Sequence, residues 1–233
     1  TWIAEHPLET KGKFQVLSLD FSQVVGCADN LQDAFHVYLG IKIDAFLRKY
    51  GKYYSQKAIE AAHNAPTAGG KIAAFVGEAK EKGYQLYLII DEYDNFTNVV
   101  LNEQGHDVYH EMTHGSGFYR DVFKTFKPNF TRILFMGVSP ITLDDLTSGF
   151  NIATNISVHY WFNNLLGFSE TDVREMIRYY QEVGRITKPE DEIIAEMKPW
   201  YDNYCFSEEC YGVEPCMYNS NMVIYYMNTF ITT

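Results

Sequence analysis

Leu86-Tyr87-Leu88-Ile89-Ile90-Asp91-Glu92-Tyr93-Asp94 is the stretch that sets the reading of the chain. Five apolar residues run directly into two adjacent acids. A short continuous apolar run is the pattern of a strand buried on both faces. Carboxylates at the carboxyl end of such a strand stand where open α/β sheets bind ligands. This is the form of a Walker B segment, in which Asp91 holds Mg²⁺, directly or through water, and Glu92 polarises the water that attacks the γ-phosphate of ATP. The same letters also describe a buried strand followed by a solvated acidic turn, because an apolar run plus Asp-Glu is a loose signal.

The 233 residues are 46% hydrophobic, enough for a sizeable core and too much for a disordered chain. Nineteen basic residues face 30 acidic ones, a net charge of -11, and no Lys/Arg run occurs. General attraction to nucleic acid or to an anionic membrane is therefore not expected. There is no signal peptide and no apolar run near the ~18 residues of a membrane span, so a cytoplasmic location is expected. Cys27, Cys205, Cys210 and Cys216 lack the paired spacing of a zinc ribbon and read as reduced thiols. The chain opens on Thr1 rather than Met and reads as a piece of a longer protein.

Outward from the central stretch, the grammar is that of βαβ units. Residues 14–21 have strand character and end near an acid, Asp20. Apolar residues then recur at helical spacing over 30–50, with Asp29 or Asn30 as N-cap and Gly51 as the stop. A short helix over 55–62, a loop over 63–70 and a helix from about 70 to 82, closed by Gly83, lead into the acidic strand. After it, helices are expected over 95–102 and 118–126, with a polar segment at 106–117 between them and Pro128 as the end of the second. A second buried strand is expected over 131–138. This order predicts an α/β fold with a mainly parallel sheet and flanking helices.

Ser139-Pro140 closes that second strand. A small polar residue there suits a sensor of the γ-phosphate; a Ser-Pro turn opening a helix explains the same letters. Residues 147–151 read as a loop. Beyond them the chain becomes helical, with helices from Ser169 to about 183 and over 190–201 and a linker over 184–189. No further strong strand is legible. The predicted organisation is an α/β core over 1–160 and a helical, lid-like subdomain over 161–233.

Two other features compete for function. His110-Glu111-Met112-Thr113-His114 is a literal HExxH, which on a helix places two His one turn apart for Zn²⁺ with Glu111 as general base, the constellation of a metallopeptidase. Gly105 and Gly115 leave it only about two and a half turns of helix. The extended form of the motif would need His where Arg120 stands. The competing reading is a His-rich polar loop. Arg120 near the catalytic edge suits an arginine finger, and Arg174 and Arg178 suit a sensor role in the lid-like region. A solvated helix face is the competing reading for all three.

At a larger scale, the segments VLSLDFS (16–22), LIIDEYDNF (88–96), HGSGFYRDVFKTFK (114–127), ILFMGVSPITLDDLTSGFNIATNIS (133–157), LLGFSETDV (165–173) and WYDNYCFS (200–207) resemble, in order, the predicted AAA-ATPase-like family of bacterial P-loop proteins. The resemblance spans nearly the whole chain. It implies an AAA-related P-loop NTPase core using ATP and Mg²⁺, with Asp91, Glu92 and Ser139 in the roles above. It also implies a possible C-terminal nuclease-like domain of the PD-(D/E)XK type in the full-length protein, and homo-oligomers among relatives. One departure matters. No GxxxxGK[ST] occurs in this sequence, and the family's phosphate loop is expected upstream of Thr1. The imitation at 65–72 lacks the turn glycine and the Mg²⁺ hydroxyl, and it follows a helix rather than a strand. This piece is therefore expected to bind nucleotide weakly by itself. The alternative of another class is a catalytically inactive regulatory or scaffold module on the same fold.

Overall fold

The computed structural model describes residues 2–24, 30–113, 118–138 and 153–231. The chain divides into two compact units, Thr1–Ile152 and Ala153–Thr233. The expected N-cap Asp29, Cys27, the 147–151 loop, His114 and Ser139 lie outside the described residues.

The first unit is built on a parallel sheet of order β1-β2-β3, with β1 at Phe14–Asp20, β2 at Gln85–Asp91 and β3 at Arg132–Phe135. The acidic strand β2 is central and pairs in register on both sides, Leu88 opposite Leu17 and Ile133. Its burial differs from the expectation of two covered faces. Leu86, Leu88 and Ile90 are buried, whereas Tyr87 and Ile89 are half-buried. Both parities of β2 are apolar, so the pattern in the sequence could not distinguish the two faces.

A short helix α1 (Trp2–Glu5) precedes the sheet. The crossover from β1 to β2 contains α2 (Leu31–Tyr50), α3 (Gln56–Asn64) and α4 (Ala68–Glu81). Asn30 occupies the N-cap of α2 without a side-chain capping bond. Ser55 caps α3 through the Ala58 N–H and Thr67 caps α4 through the Gly70 N–H. Gly83, at φ +71°, follows α4 in the left-handed conformation that lets the chain turn into β2. The crossover from β2 to β3 contains α5 (Asn95–Gln104), α6 (His106–Thr113) and α7 (Phe118–Asn129). Three details correct the sequence expectation. The strand expected as buried over 131–138 is limited to β3, whose residues are exposed or half-buried. Most of the supposed polar loop after Gly105 is the helix α6. Helix α7 also continues one residue past Pro128, which sits in the last turn.

The core lies between one face of the sheet and the helices α2, α4 and α7. Phe21, fully buried just after β1, meets Phe35, Tyr38, Tyr119 and Phe123 edge-on at centroid distances of 5.0–6.3 Å. Gln15, a polar side chain on the buried face of β1, is satisfied by the Tyr54 hydroxyl at 2.5 Å. Burial pushes the Tyr54 phenol above its ordinary pKa, which keeps it a donor. Leu88 is fully buried at the centre of the sheet. Leu88→Ala is expected to remove ~2–5 kcal/mol of stability, read as a lowered urea midpoint.

The second unit packs α8 (Glu170–Glu182), α9 (Glu190–Tyr201) and α10 (Ser220–Ile231) around Val173, Ile177, Ile193, Met197, Val223 and Met227. Helix α10 has no counterpart in the sequence expectations. Its twelve residues carry no charge, so no polar face marked it as amphipathic. Ser169 and Asp172 form a reciprocal capping box at the start of α8. Two isolated antiparallel bridges, Phe168 with Tyr218 and Tyr204 with Met217, tie the connecting segments together.

Glu190 joins the first turn of α9 to α8, meeting Arg174 at 2.7 Å and Arg178 at 2.8 Å. These bonds hold the Glu190 carboxyl at about 2, down from 4.5. A depressed carboxyl pKa stabilises the fold fully above its unfolded value, and that contribution is lost as pH falls toward its folded value. Stability of the chain should therefore decline between pH 4.5 and about 2, and Glu190→Gln should flatten that decline in unfolding measured across this range.

Candidate functional site at the carboxyl edge of the sheet

The end of an apolar run is where a strand leaves the core, so the acids that follow β1 and β2 gather at one edge. Asp20 and Asp91 are direct register partners there. Asp20 belongs to its own turn. Its carboxylate accepts the Ser22 N–H at 3.0 Å, the Ser22 hydroxyl at 2.6 Å and the Gln23 amide at 2.7 Å. The Ser22 hydroxyl, chief among these donors, holds the Asp20 carboxyl below its ordinary range. Asp91 is exposed. Its Oδ1 accepts the N–H of Glu92 at 3.0 Å, and its second oxygen gives it a further acceptor position at the edge.

Glu92 has φ +51°, one of two non-glycine residues in the left-handed region among those described. A non-glycine residue pays for that conformation and usually holds it where the surroundings demand it. Here the demand comes from the next residues. The Tyr93 N–H donates to the Met136 carbonyl at 3.2 Å, and the Asn95 N–H donates to the Glu92 carbonyl at 3.0 Å as α5 begins. The Tyr119 hydroxyl, fully buried on α7, donates to the Tyr93 carbonyl at 2.5 Å. Desolvation, with Asp94 adding a smaller effect, raises the Tyr119 pKa well above its usual value, so the group stays a donor.

The structure thus brings Asp91 and Glu92 together at the edge, with the first turn of α7 tied to the same turn through Tyr119. Arg120, next in sequence, is partly buried on α7. Of the zinc-type motif, His110 and Glu111 lie exposed on the eight-residue α6. His110 stacks on His106 at a centroid distance of 6.4 Å. Among the described residues no group of three or more His, Cys, Asp or Glu is arranged to hold a metal. Arg174 and Arg178 are engaged by Glu170, Glu190 and Asp191 within the second unit. The imitation phosphate loop spans the turn between α3 and α4, where Thr67 serves as a helix cap.

A pocket of about 200 Å³ between α2, α4 and α7, lined by His36, Thr67, Asp121 and Thr125 among others, includes none of Asp20, Asp91 and Glu92. Sequence reading passed over two acids. Asp20 appeared only as a strand end, since its pairing with Asp91 depends on register. Asp94 stood in the central stretch, and its place as a third acid directly after Tyr93 was the available signal.

The fold and site define a parallel α/β domain with an acidic pair on the carboxyl edge of its central strand. The family model described as Predicted AAA-ATPase matches residues 1–147, and the chain belongs to this AAA-ATPase-like family. No curated protein and no solved structure matches the chain. Among the described residues no helix is long and apolar enough to cross a membrane.

Tyr119→Phe leaves the Tyr93 carbonyl without its phenol donor in a buried place. It is expected to cost about 1–3 kcal/mol and to loosen the acidic turn, seen as a lower urea midpoint and faster amide exchange at Tyr93.

Proposed function

We propose that this chain forms the acid-bearing part of a nucleotide-hydrolysing core, with Asp91 as the Mg²⁺-facing carboxylate and Glu92 as the residue that orients and polarises the attacking water. The observation that carries this reading is the strained Glu92 directly after Asp91, at the carboxyl end of the central parallel strand. Bound Mg-ATP would supply the phosphoanhydride and the cation that offsets its charge. The donor set fits such a cation: Asp91 is an exposed hard oxygen ligand, and Asp20 stands beside it in register.

Other parts of the reading rest on sequence. Arg120 is assigned to the developing γ-phosphate charge and Ser139 to γ-phosphate sensing. No residue of the chain is assigned to the phosphate cradle, because GxxxxGK[ST] is absent from it. The helical second unit is assigned to the lid-like region of the P-loop reading.

Two measurements test this. Calorimetry with Mg-ATP should detect binding by a protein extended upstream through a phosphate loop and little by the present chain. Binding by neither would favour the inactive scaffold reading. In the extended protein Glu92→Gln should retain nucleotide while turnover falls by about 10²–10⁴-fold, and unchanged turnover would remove Glu92 from its role.

A further inference from the structure

The side chain of Asp94 is only 1% exposed and lies where the turn after β2 meets the end of β3. Both of its carboxylate oxygens stand 3.2 Å from the nitrogen of the Val138 N–H. Oδ2 also accepts from the Asn98 side-chain amide, one helical turn along α5, at 3.3 Å. The neighbouring Gly137 is demanded by contact: a Cβ there would lie 2.4 Å from Asp94 Oδ1 and 2.7 and 2.8 Å from carbons of the Tyr93 ring. The Met136 N–H completes the seam by donating to the Ile90 carbonyl at 2.8 Å.

An apolar side chain would fill this space without the desolvation penalty of a carboxylate. What the carboxylate adds is direction. Its paired oxygens fix one backbone N–H on a segment 44 residues away in sequence, just past the last ladder pair of β3, where no described strand pairs with it. The same residue is two positions after Glu92, so one side chain links the acidic turn to the end of the neighbouring strand.

We infer that Asp94 is a positioning residue that clamps the Gly137–Val138 backbone at the end of β3 against the Asp91–Glu92 turn. It touches no substrate and acts through the Val138 amide. Its consequence for turnover rests on the hydrolase reading given above; the clamp does not. A site of this kind tolerates displacement of only about half an ångström, so loss of the clamp should act on turnover more than on affinity.

The experiment compares wild type, Asp94→Asn and Asn98→Ala in the full-length protein by amide exchange at Val138, with steady-state kinetics on Mg-ATP alongside. Asp94→Asn keeps the size of the side chain but replaces one acceptor oxygen by a donor. It should speed Val138 exchange by about tenfold or more, beyond any change at core amides such as Leu88. Turnover per folded molecule should fall about 10–100-fold while KM moves less than about twofold. Asn98→Ala, a milder change at a less buried position, should speed Val138 exchange by a smaller factor, and it decides the matter if Asp94→Asn does not fold. Unchanged Val138 exchange in the folded variants overturns the clamp. Faster exchange with unaltered kcat overturns its role in positioning. If wild type proves unable to hydrolyse Mg-ATP, the hydrolase reading falls and the exchange measurement alone still decides the clamp.

Discussion

The first unit depends on the pairing of β2 with a parallel neighbour on each side. A parallel ladder needs a crossover before each new strand, so both intervening segments must return over the sheet. Helices α2, α4 and α7 do so on the face of Leu86, Leu88 and Ile90, and the aromatic cluster around Phe21 fills the space between. With β2 held on both sides, the point where its apolar run stops is fixed in space, and Asp91 emerges at the sheet edge for that reason.

Three aspartates at this edge then acquire three different characters. Asp20 is closed upon its own turn by Ser22 and Gln23. Asp91 is open to solvent. Asp94 is buried and committed to the Val138 amide. Environment rather than residue type assigns the roles, as it does wherever neighbouring carboxyl groups divide a task. The strained Glu92 belongs to the same arrangement, because the Tyr93 N–H donates to the Met136 carbonyl and the Tyr93 carbonyl accepts the Tyr119 hydroxyl directly after it, which leaves the chain little alternative path.

The second unit follows a different logic. It has its own apolar core and an ion-pair network centred on Arg174 and Glu190, and it lies outside the stretch matched by the family model. Partly exposed pairs of this kind individually contribute little, and a shared network spreads the entropic cost of ordering the side chains. Its role here is to hold α8 and α9 together, which accounts for the two arginines without a ligand.

Much of this architecture is local and therefore legible. The order of the strands, the helix starts at Ser55 and Ser169, and the Asp-Glu pair at the end of an apolar run all follow from short-range pattern, whereas Thr67, read as part of a loop, proves to be the cap of α4. The failures have physical causes too. Helix α6 is polar and short, α10 lacks a polar face, and β2 is apolar on both parities, so periodicity carried no signal in any of them. What the sequence by itself determined is the strands, most of the helices between them and the acids that end the strands, since side-chain period and capping act within a few residues. What only the tertiary structure decided is that Asp20 stands opposite Asp91 and that Asp94 grips Val138. Strand register and the meeting of chain segments 44 residues apart are set by packing of the whole sheet, which no local pattern encodes.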